Sequence, residues 1–396
     1  MKCLRRTVAH SFATLAVIAA ASGCAPANVD PEQVGTSVEA LRVEVGRRAV
    51  AYDYGSRNTL THGIAGDERL VFVTEPLASR VVVLDRITGS EIAVLPAPAG
   101  GMVLPFTLRV SRTGRLVVMD AGGFPNPSIP SVARVYDYDY SYNPTTRAFS
   151  ATVARTVRFD GLPLVFAEDL EVLPDGTYVL AESVIGALWL IRPNGTIAPG
   201  LFPDSLAPGA GIPQIGPCQF NSTVTADGIP FASAGDFAPG VGSVAARGNT
   251  LYFSGTCQGA LYRIPIASLS DPSRSPQQRA ADITLVSPMP ADPAGAVLKG
   301  LAVNRFDPSD NRIYALESAA MRVVRIDPNT GVRTVLVRDP VLFNFPVAAA
   351  FLPPVLGLTP LVVSSDQEHR FAGINAGITV DQFTPPWVLA KVYVLR

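Results

Sequence analysis

Ionisable residues that could do chemistry stand at matching places along this chain. His62, Glu168 and Lys299 each lie at the start of a strand-like, largely apolar stretch. A second group follows another such stretch near the C-terminus and consists of Asp366, Glu368 and His369. A histidine, carboxylates and a lysine that meet in one pocket would support acid–base chemistry. Whether they meet depends on the elements that carry them.

The stretch from Phe166 to Ile197 reads as three short strands separated by turns at Pro174-Asp175-Gly176 and Pro193-Asn194-Gly195. One antiparallel sheet of this size is too small to fold alone, so it must stack on copies of itself. Five further copies follow the same pattern. The six units cover residues 62–95, 106–159, 167–202, 243–287, 298–337 and 347–395.

Six consecutive units of this kind predict an all-β, six-bladed β-propeller that forms a single domain over residues 40–396. Each blade has an innermost strand A, then B and C, and an outermost strand D. The sixth unit lacks strand D because the chain ends there. The strand-like segment Ala40–Val45 is predicted to complete that blade and so to close the ring, which removes open sheet edges.

Propeller geometry places the starts of the A strands around one mouth of the central channel. We call this side the loop face, because it carries the D-to-A and B-to-C connections, and the opposite side the turn face. The long connections 121–131, 202–239 and 367–386 are predicted on the loop face, which is therefore the candidate site. The six A-strand starts are His62, Phe106, Glu168, Val241, Lys299 and Phe345.

Two interpretations of the channel mouth follow. In the first, Glu168, His62, Lys299, Asp366 and His369 form a catalytic set. In the second, Glu168 and Lys299 form an ion pair that closes a narrow channel, with His62 hydrogen-bonded beside them; we prefer this one, because structural ion pairs also crowd such channels. Acids at the ends of the B strands are predicted to accept hydrogen bonds from backbone N–H groups. They are Glu75, Asp120, Glu182, Glu317 and Asp366.

The N-terminus is typical of an exported protein. Residues 1–23 combine a basic start with a short apolar stretch and predict a signal peptide. Ala21-Ser22-Gly23-Cys24 resembles the lipobox of bacterial lipoproteins, which predicts lipid on Cys24, a linker over 24–39 and a membrane-tethered protein of the cell envelope. An ordinary signal cleaved near Ala25 is the alternative. Cys218 and Cys257 then remain in the exported domain and are predicted to form a disulfide.

The charge of the chain gives no reason to expect nucleic acid as a partner. Charged residues make up 16% of the sequence, and the formal net charge is −1. Nothing in this balance predicts binding to nucleic acid.

Two strings carry a family resemblance. Lys299-Gly300-Leu301-Ala302-Val303 and the segment from Asp310 to Ser318 resemble the gluconolactonase and luciferin-regenerating-enzyme-like propellers, with strictosidine-synthase-like and NHL-repeat propellers in the same style. The resemblance implies a divalent cation, typically calcium, held at the channel mouth by a Glu, an Asn and an Asp. Glu168 matches the Glu, but Lys299 stands at the Asn position, and an ammonium repels a metal. Calcium is therefore disfavoured, and no cofactor is expected.

The sequence thus predicts a non-catalytic binding propeller that takes a small molecule or an envelope protein at its loop face. A lactonase- or esterase-type hydrolase that uses Glu168 with His62, or with Asp366 and His369, is the alternative. A structural scaffold of the envelope is the second alternative.

Overall fold

The computed structural model describes residues 49–124, 132–202, 224–231, 240–255, 259–355, 357–373, 375 and 378–394. These residues form six four-stranded antiparallel sheets and one two-stranded hairpin. The sheets are arranged as a six-bladed β-propeller, which confirms the predicted fold class.

The strands follow the predicted units closely. The chain begins with β1 (Ala49–Arg57), and the first blade contains β2 (Ile64–Gly66), β3 (Leu70–Glu75), β4 (Arg80–Asp85) and β5 (Glu91–Val94). The second contains β6 (Pro105–Val110), β7 (Leu116–Asp120), β8 (Arg134–Asn143) and β9 (Ala148–Arg158). The third contains β10 (Ala167–Val172), β11 (Tyr178–Glu182), β12 (Ala187–Ile191) and β13 (Ile197–Leu201).

The short hairpin β14 (Thr225–Ala226) and β15 (Ile229–Pro230) precedes the fourth blade. That blade contains β16 (Val241–Arg247), β17 (Thr250–Gly255), β18 (Leu261–Pro265) and β19 (Thr284–Ser287). The fifth contains β20 (Leu298–Val303), β21 (Ile313–Glu317), β22 (Arg322–Ile326) and β23 (Arg333–Arg338). The sixth contains β24 (Pro346–Phe351), β25 (Pro360–Ser365) and β26 (Trp387–Val394).

The sixth sheet takes its fourth strand from the other end of the described chain. Strand β1 pairs antiparallel with β26, from Ala49 opposite Val394 to Arg57 opposite Trp387. The segment Ala40–Val45, which was predicted for this place, lies outside the described residues.

Burial explains why these stretches form strands. Every residue of β3 is buried, as is every residue of β7, whereas the outer strand β5 is half-exposed to exposed. The cores lie between neighbouring blades, where apolar side chains of both sheets interdigitate. Near the axis the blades approach closely, since a Cβ on Gly63 would lie 2.6 Å from the carbonyl oxygen of Phe106.

One connection between strands contains helical structure of its own. The Ser/Pro/Arg-rich link between β18 and β19 contains two short helices, α1 (Ile266–Ser270) and α2 (Pro276–Ala280). Helix α2 begins with a capping box in which Ser275 and Gln278 bond each other's backbone N–H groups. No helix in the described ranges is long and apolar enough to cross a membrane.

Candidate functional site

A buried lysine lies at the centre of the loop-face channel mouth. Lys299, near the start of β20, is 2% exposed, and its Nζ donates a hydrogen bond to Glu168 Oε1 at 3.0 Å. The same ammonium donates to Glu368 Oε2. Glu168 is the second residue of β10, the inner strand of the third blade. Glu368 lies in a single 3₁₀ turn, Glu368–Arg370, in the B-to-C connection of the sixth blade. One cation therefore joins three blades across the mouth.

The carboxylates fix the charge of this lysine. Burial alone would lower the pKa of Lys299, but Glu168, Glu368 and Asp366 together raise it above its usual value. The raised pKa favours the ammonium form, in which an amine is neither a nucleophile nor a base.

The pKa values of two neighbouring carboxyl groups are raised above their usual values. Burial raises the pKa of Asp366 well above its usual value, and the charge of Glu368 raises it further, while Lys299 opposes both. Burial also raises the pKa of Glu368, against the effect of Lys299. In both carboxyl groups, burial opposes the charged form and the Lys299 ammonium favours it.

His62 lies beside this cluster as a neutral imidazole. Its Nδ1 is 3.0 Å from the carbonyl oxygen of Phe106, and its ring stacks on the Phe106 ring with centroids 3.6 Å apart. Burial, and then the charge of Lys299, lower the pKa of His62 to about 3. With Nδ1–H donating to the carbonyl, Nε2 carries the lone pair; it faces Asp366 Oδ2 at 3.8 Å and has no hydrogen-bond partner among the described atoms.

The structure brings four of the five predicted catalytic candidates together and leaves the fifth aside. Glu168, Lys299, Asp366 and His62 are adjacent. His369 instead stacks on Phe345, with centroids 5.2 Å apart, and its Nε2 lies 3.2 Å from Arg370 Nε. Burial, and then Arg370, lower its pKa to about 4. No hydrogen bond or ion pair in the described ranges joins it to Lys299.

Sequence reasoning missed a second polar layer just below the mouth. Asp169 Oδ1 accepts hydrogen bonds from Arg109 Nη2 at 2.7 Å and Thr107 Oγ1 at 3.2 Å, and its Oδ2 accepts one from the Val244 backbone N–H at 3.0 Å. The signal was present, because Thr107 and Asp169 lie at equivalent positions near the starts of successive A strands. This layer ties blades two, three and four together beneath Glu168.

The acids at the ends of the B strands are structural, in two different ways. Asp120 accepts backbone N–H groups of Val103 and Leu104 at 2.8 and 2.7 Å, as predicted. Glu182 similarly accepts the Phe166 N–H at 2.8 Å.

Of the other three B-strand acids, Asp366 accepts the Glu368 backbone N–H at 2.9 Å, as predicted, whereas Glu75 and Glu317 differ from the prediction. Glu75 accepts from the arginine side chains of Arg57 and Arg80, at 2.8 and 2.6 Å, and Glu317 accepts from Arg333 at 3.1 Å and from Arg322. In both cases, arginine side chains from the neighbouring C strand and from an outer strand bind the carboxylate in place of backbone N–H groups.

The arrangement at the channel mouth does not fit a divalent cation. The Lys299 ammonium is bonded to the carboxylates that a metal would need, including Glu168, the one residue that matches the family pattern. Among the described residues, no group of three or more His, Cys, Asp or Glu side chains is arranged to hold a metal ion.

The cysteine predictions concern other parts of the chain. Cys24, Cys218 and Cys257 all lie outside the described residues. Lipidation and the disulfide therefore stay predictions, as does the signal peptide.

Comparison with known proteins concerns the fold. No protein-family model and no curated protein matches the chain. A luciferin-regenerating enzyme is similar in structure with a TM-score of 0.54 and 10% identity, covering 88% of this chain and 97% of that one. A calcium-binding protein, regucalcin, from Agrobacterium tumefaciens has a TM-score of 0.49 and 15% identity, covering 87% and 94%. A gluconolactonase from Xanthomonas campestris has a TM-score of 0.48 and 13% identity, covering 91% and 92%.

Identities this low show the fold alone. The chain has the six-bladed fold of the gluconolactonase and luciferin-regenerating-enzyme-like propellers, to which its repeat motifs pointed.

Proposed function

We propose that this protein is a binding propeller that takes a small molecule or a partner protein at its loop face, without catalysing a reaction there. One observation carries the proposal: the Lys299 ammonium lies among Glu168, Glu368 and Asp366 at the channel mouth, nearly sealed from solvent. It neutralises the carboxylates that would otherwise hold a metal or activate water. The mouth then serves as a rigid floor for the loops above it.

Aromatic rings on the same face support a binding role. The rings of Phe124 and Phe371 stack with centroids 5.2 Å apart, and Phe383 lies parallel to Phe371 at 6.3 Å. Phe124 is 49% exposed. Rings presented in this way offer flat apolar contact area to a ligand at low cost in conformational entropy.

A specific observation favours a lactonase- or esterase-type hydrolase as the second candidate. The free lone pair of His62 Nε2 faces Asp366 Oδ2 at 3.8 Å, and burial raises the pKa of that carboxyl group well above its usual value, an arrangement suited to proton transfer. Both side chains are nearly fully buried, however, so a substrate could reach them only after a rearrangement of the mouth.

Substitution of Lys299 by Asn tests the proposal directly. The wild-type protein should show neither Ca²⁺-dependent thermal stabilisation nor hydrolysis of a simple lactone. Lys299→Asn would replace the ammonium by an amide oxygen beside three carboxyl groups, so we expect it to gain stabilisation by Ca²⁺. Lys391→Asn, at the other lysine of the described chain, is the matched control and should gain nothing.

Two results would overturn the binding proposal in favour of the hydrolase. One is stoichiometric Ca²⁺ in the wild type. The other is lactone turnover by the wild type that disappears in Glu168→Gln while the melting temperature stays within a few degrees.

We further propose that the protein is tethered to the cell envelope through lipid on Cys24. The lipobox-like segment supports this, and Cys24→Ser should move the protein from the membrane fraction to the soluble fraction. Equal membrane association of both forms would contradict it. For the proposed Cys218–Cys257 disulfide, a cross-linked peptide that disappears on reduction should be found by mass spectrometry.

A further inference from the structure

A cavity opens on the turn face, at the end of the channel away from Lys299. Its volume is ≈ 710 Å³, and it lies among the A-to-B connections of blades one, two, five and six. Below it, a narrower cavity of ≈ 100 Å³ runs into the channel. We call the larger cavity the turn-face vestibule.

Arg305 lines both cavities. It belongs to the fifth blade, yet its Nη1 donates a 2.8 Å hydrogen bond to the carbonyl oxygen of Val110 in the second blade, across the axis. Its guanidinium also lies over the Phe306 ring, 5.0 Å from the centroid. The floor of the vestibule therefore carries a positive charge held in a fixed place.

Two further arginines lie on the wall. Arg69 and Arg112 are exposed in the A-to-B turns of the first two blades. Within the described ranges, no carboxylate lies at ion-pair distance from Arg69, Arg112 or Arg305. Burial lowers the pKa of Arg305; Glu171 opposes this, and the charges of Arg109 and Arg112 lower it further. The cations thus repel one another, and an anion among them would relieve that repulsion.

The two acids of the vestibule offset only part of the charge of its three arginines. Asp67 accepts hydrogen bonds from Tyr140 Oη at 2.6 Å and from the backbone N–H groups of Arg69 and Leu70 at 2.7 and 2.8 Å, so its oxygens hold the turn. Glu68 is exposed at the rim. Three guanidinium groups and two aromatic rings, of Tyr140 and Phe306, therefore face the space.

We propose that the turn-face vestibule binds a small anionic ligand through a carboxylate or phosphate group. The group sits between Arg69, Arg112 and Arg305, whose planar guanidinium groups suit bidentate contact with either kind of oxyanion. The aromatic rings contact the rest of the ligand. The site is independent of the loop face, so either can fail without the other.

Isothermal titration calorimetry tests the proposal, with inorganic phosphate and citrate as separate probes of the full-length protein at constant sodium chloride. Saturable binding of at least one probe is expected, and the one that binds identifies the oxyanion. Arg112→Gln and Arg69→Gln should each weaken that binding about tenfold or more, because each removes a charge-assisted hydrogen bond. Arg338→Gln, an exposed arginine on β23, is the matched control and should bind like the wild type.

Melting temperatures of all variants show whether the fold is kept; Arg69 and Arg112 have exposed side chains, so little change is expected. The proposal is overturned if neither probe binds the wild type, or if Arg112→Gln binds as tightly as the wild type. It is also overturned if Arg338→Gln loses as much affinity, since net charge alone would then explain the binding.

Discussion

Replacing Lys299 by Met removes the only positive charge that is bonded to Glu168 and Glu368 among the described residues. The folded protein must then keep two buried carboxylates without a counter-charge or protonate one of them. Protonating a glutamate with an ordinary pKa of about 4.3 costs about 4 kcal/mol at pH 7 and about 1 kcal/mol at pH 5. Breaking one partner of a buried ion pair typically costs about 3–5 kcal/mol, which agrees. We therefore expect Lys299→Met to lose about 4 kcal/mol at pH 7 and about 1 kcal/mol at pH 5.

The sign follows from proton binding. In the variant the folded-state pKa of Glu368, already raised by burial, loses the opposing effect of Lys299 and rises further above its unfolded value. The folded state then binds more protons than the unfolded state, so its stability falls as pH rises above about 4. In the wild type, Lys299 has a raised pKa, so its contribution is fully present below about pH 10.5 and constant over this range.

Urea unfolding at pH 5 and pH 7 measures the effect. Lys391→Met is the matched control, because Lys391 is equally buried but donates to the Arg86 carbonyl oxygen at 2.9 Å and lies over the Tyr54 ring rather than beside acids. Its cost should change little between pH 5 and pH 7. Adding Glu168→Gln to Lys299→Met should recover part of the loss. A cost of Lys299→Met below about 1 kcal/mol at pH 7, or one equal at both pH values, would refute the reasoning.

Three further substitutions test other parts of the structure. Burial, and then the charge of Arg86, lower the pKa of Lys391 to about 7, below its unfolded value. The free energy of unfolding of the wild type should therefore rise by up to about 1.4 kcal/mol per pH unit between pH 7 and about 10. Urea unfolding of Lys391→Met should lack that rise. Gly63→Ala should lower the free energy of unfolding in urea by about 1–3 kcal/mol, because its Cβ would meet the Phe106 carbonyl oxygen. In the control Gly55→Ala the nearest contact of the Cβ is at 3.7 Å, so stability should change little. Equal losses in the two variants would contradict the close packing of the blades. Asp120→Ala should lower the free energy of unfolding by about 1–3 kcal/mol, because the backbone N–H groups that it bonds lose their acceptor. A loss no larger than that of Asp139→Ala, at an exposed aspartate, would argue against a structural role of Asp120.

The sequence predicted the blades well because each one carries its own signals. Alternating or continuous apolar runs between Gly-containing turns, such as β3 and β7, specify strands locally, and repetition specifies how they stack. The contact between Lys299 and Glu168 was also predictable, since both residues occupy A-strand starts.

Other features of the site depend on side-chain reach, which no repeat encodes. The sequence places acidic residues in the B-to-C connection of the sixth blade. It does not show that the 3₁₀ turn there directs Glu368 to Lys299 and His369 to Phe345. The contact made by the Arg305 side chain could not be predicted from the sequence of its own blade, because its partner Val110 lies across the axis.

The two buried lysines have a practical consequence for following this molecule in solution. Lysine occurs in the sequence at Lys2, Lys299 and Lys391, and in the described part of the chain both lysine side chains are buried. Surface positive charge there comes from arginine, so amine-reactive labels and lysine-specific proteases find no target on the folded blades. Acylation of Lys299 or Lys391, or proteolytic cleavage after either residue, therefore reports local unfolding of the fifth or sixth blade. While both blades are folded, neither lysine reacts.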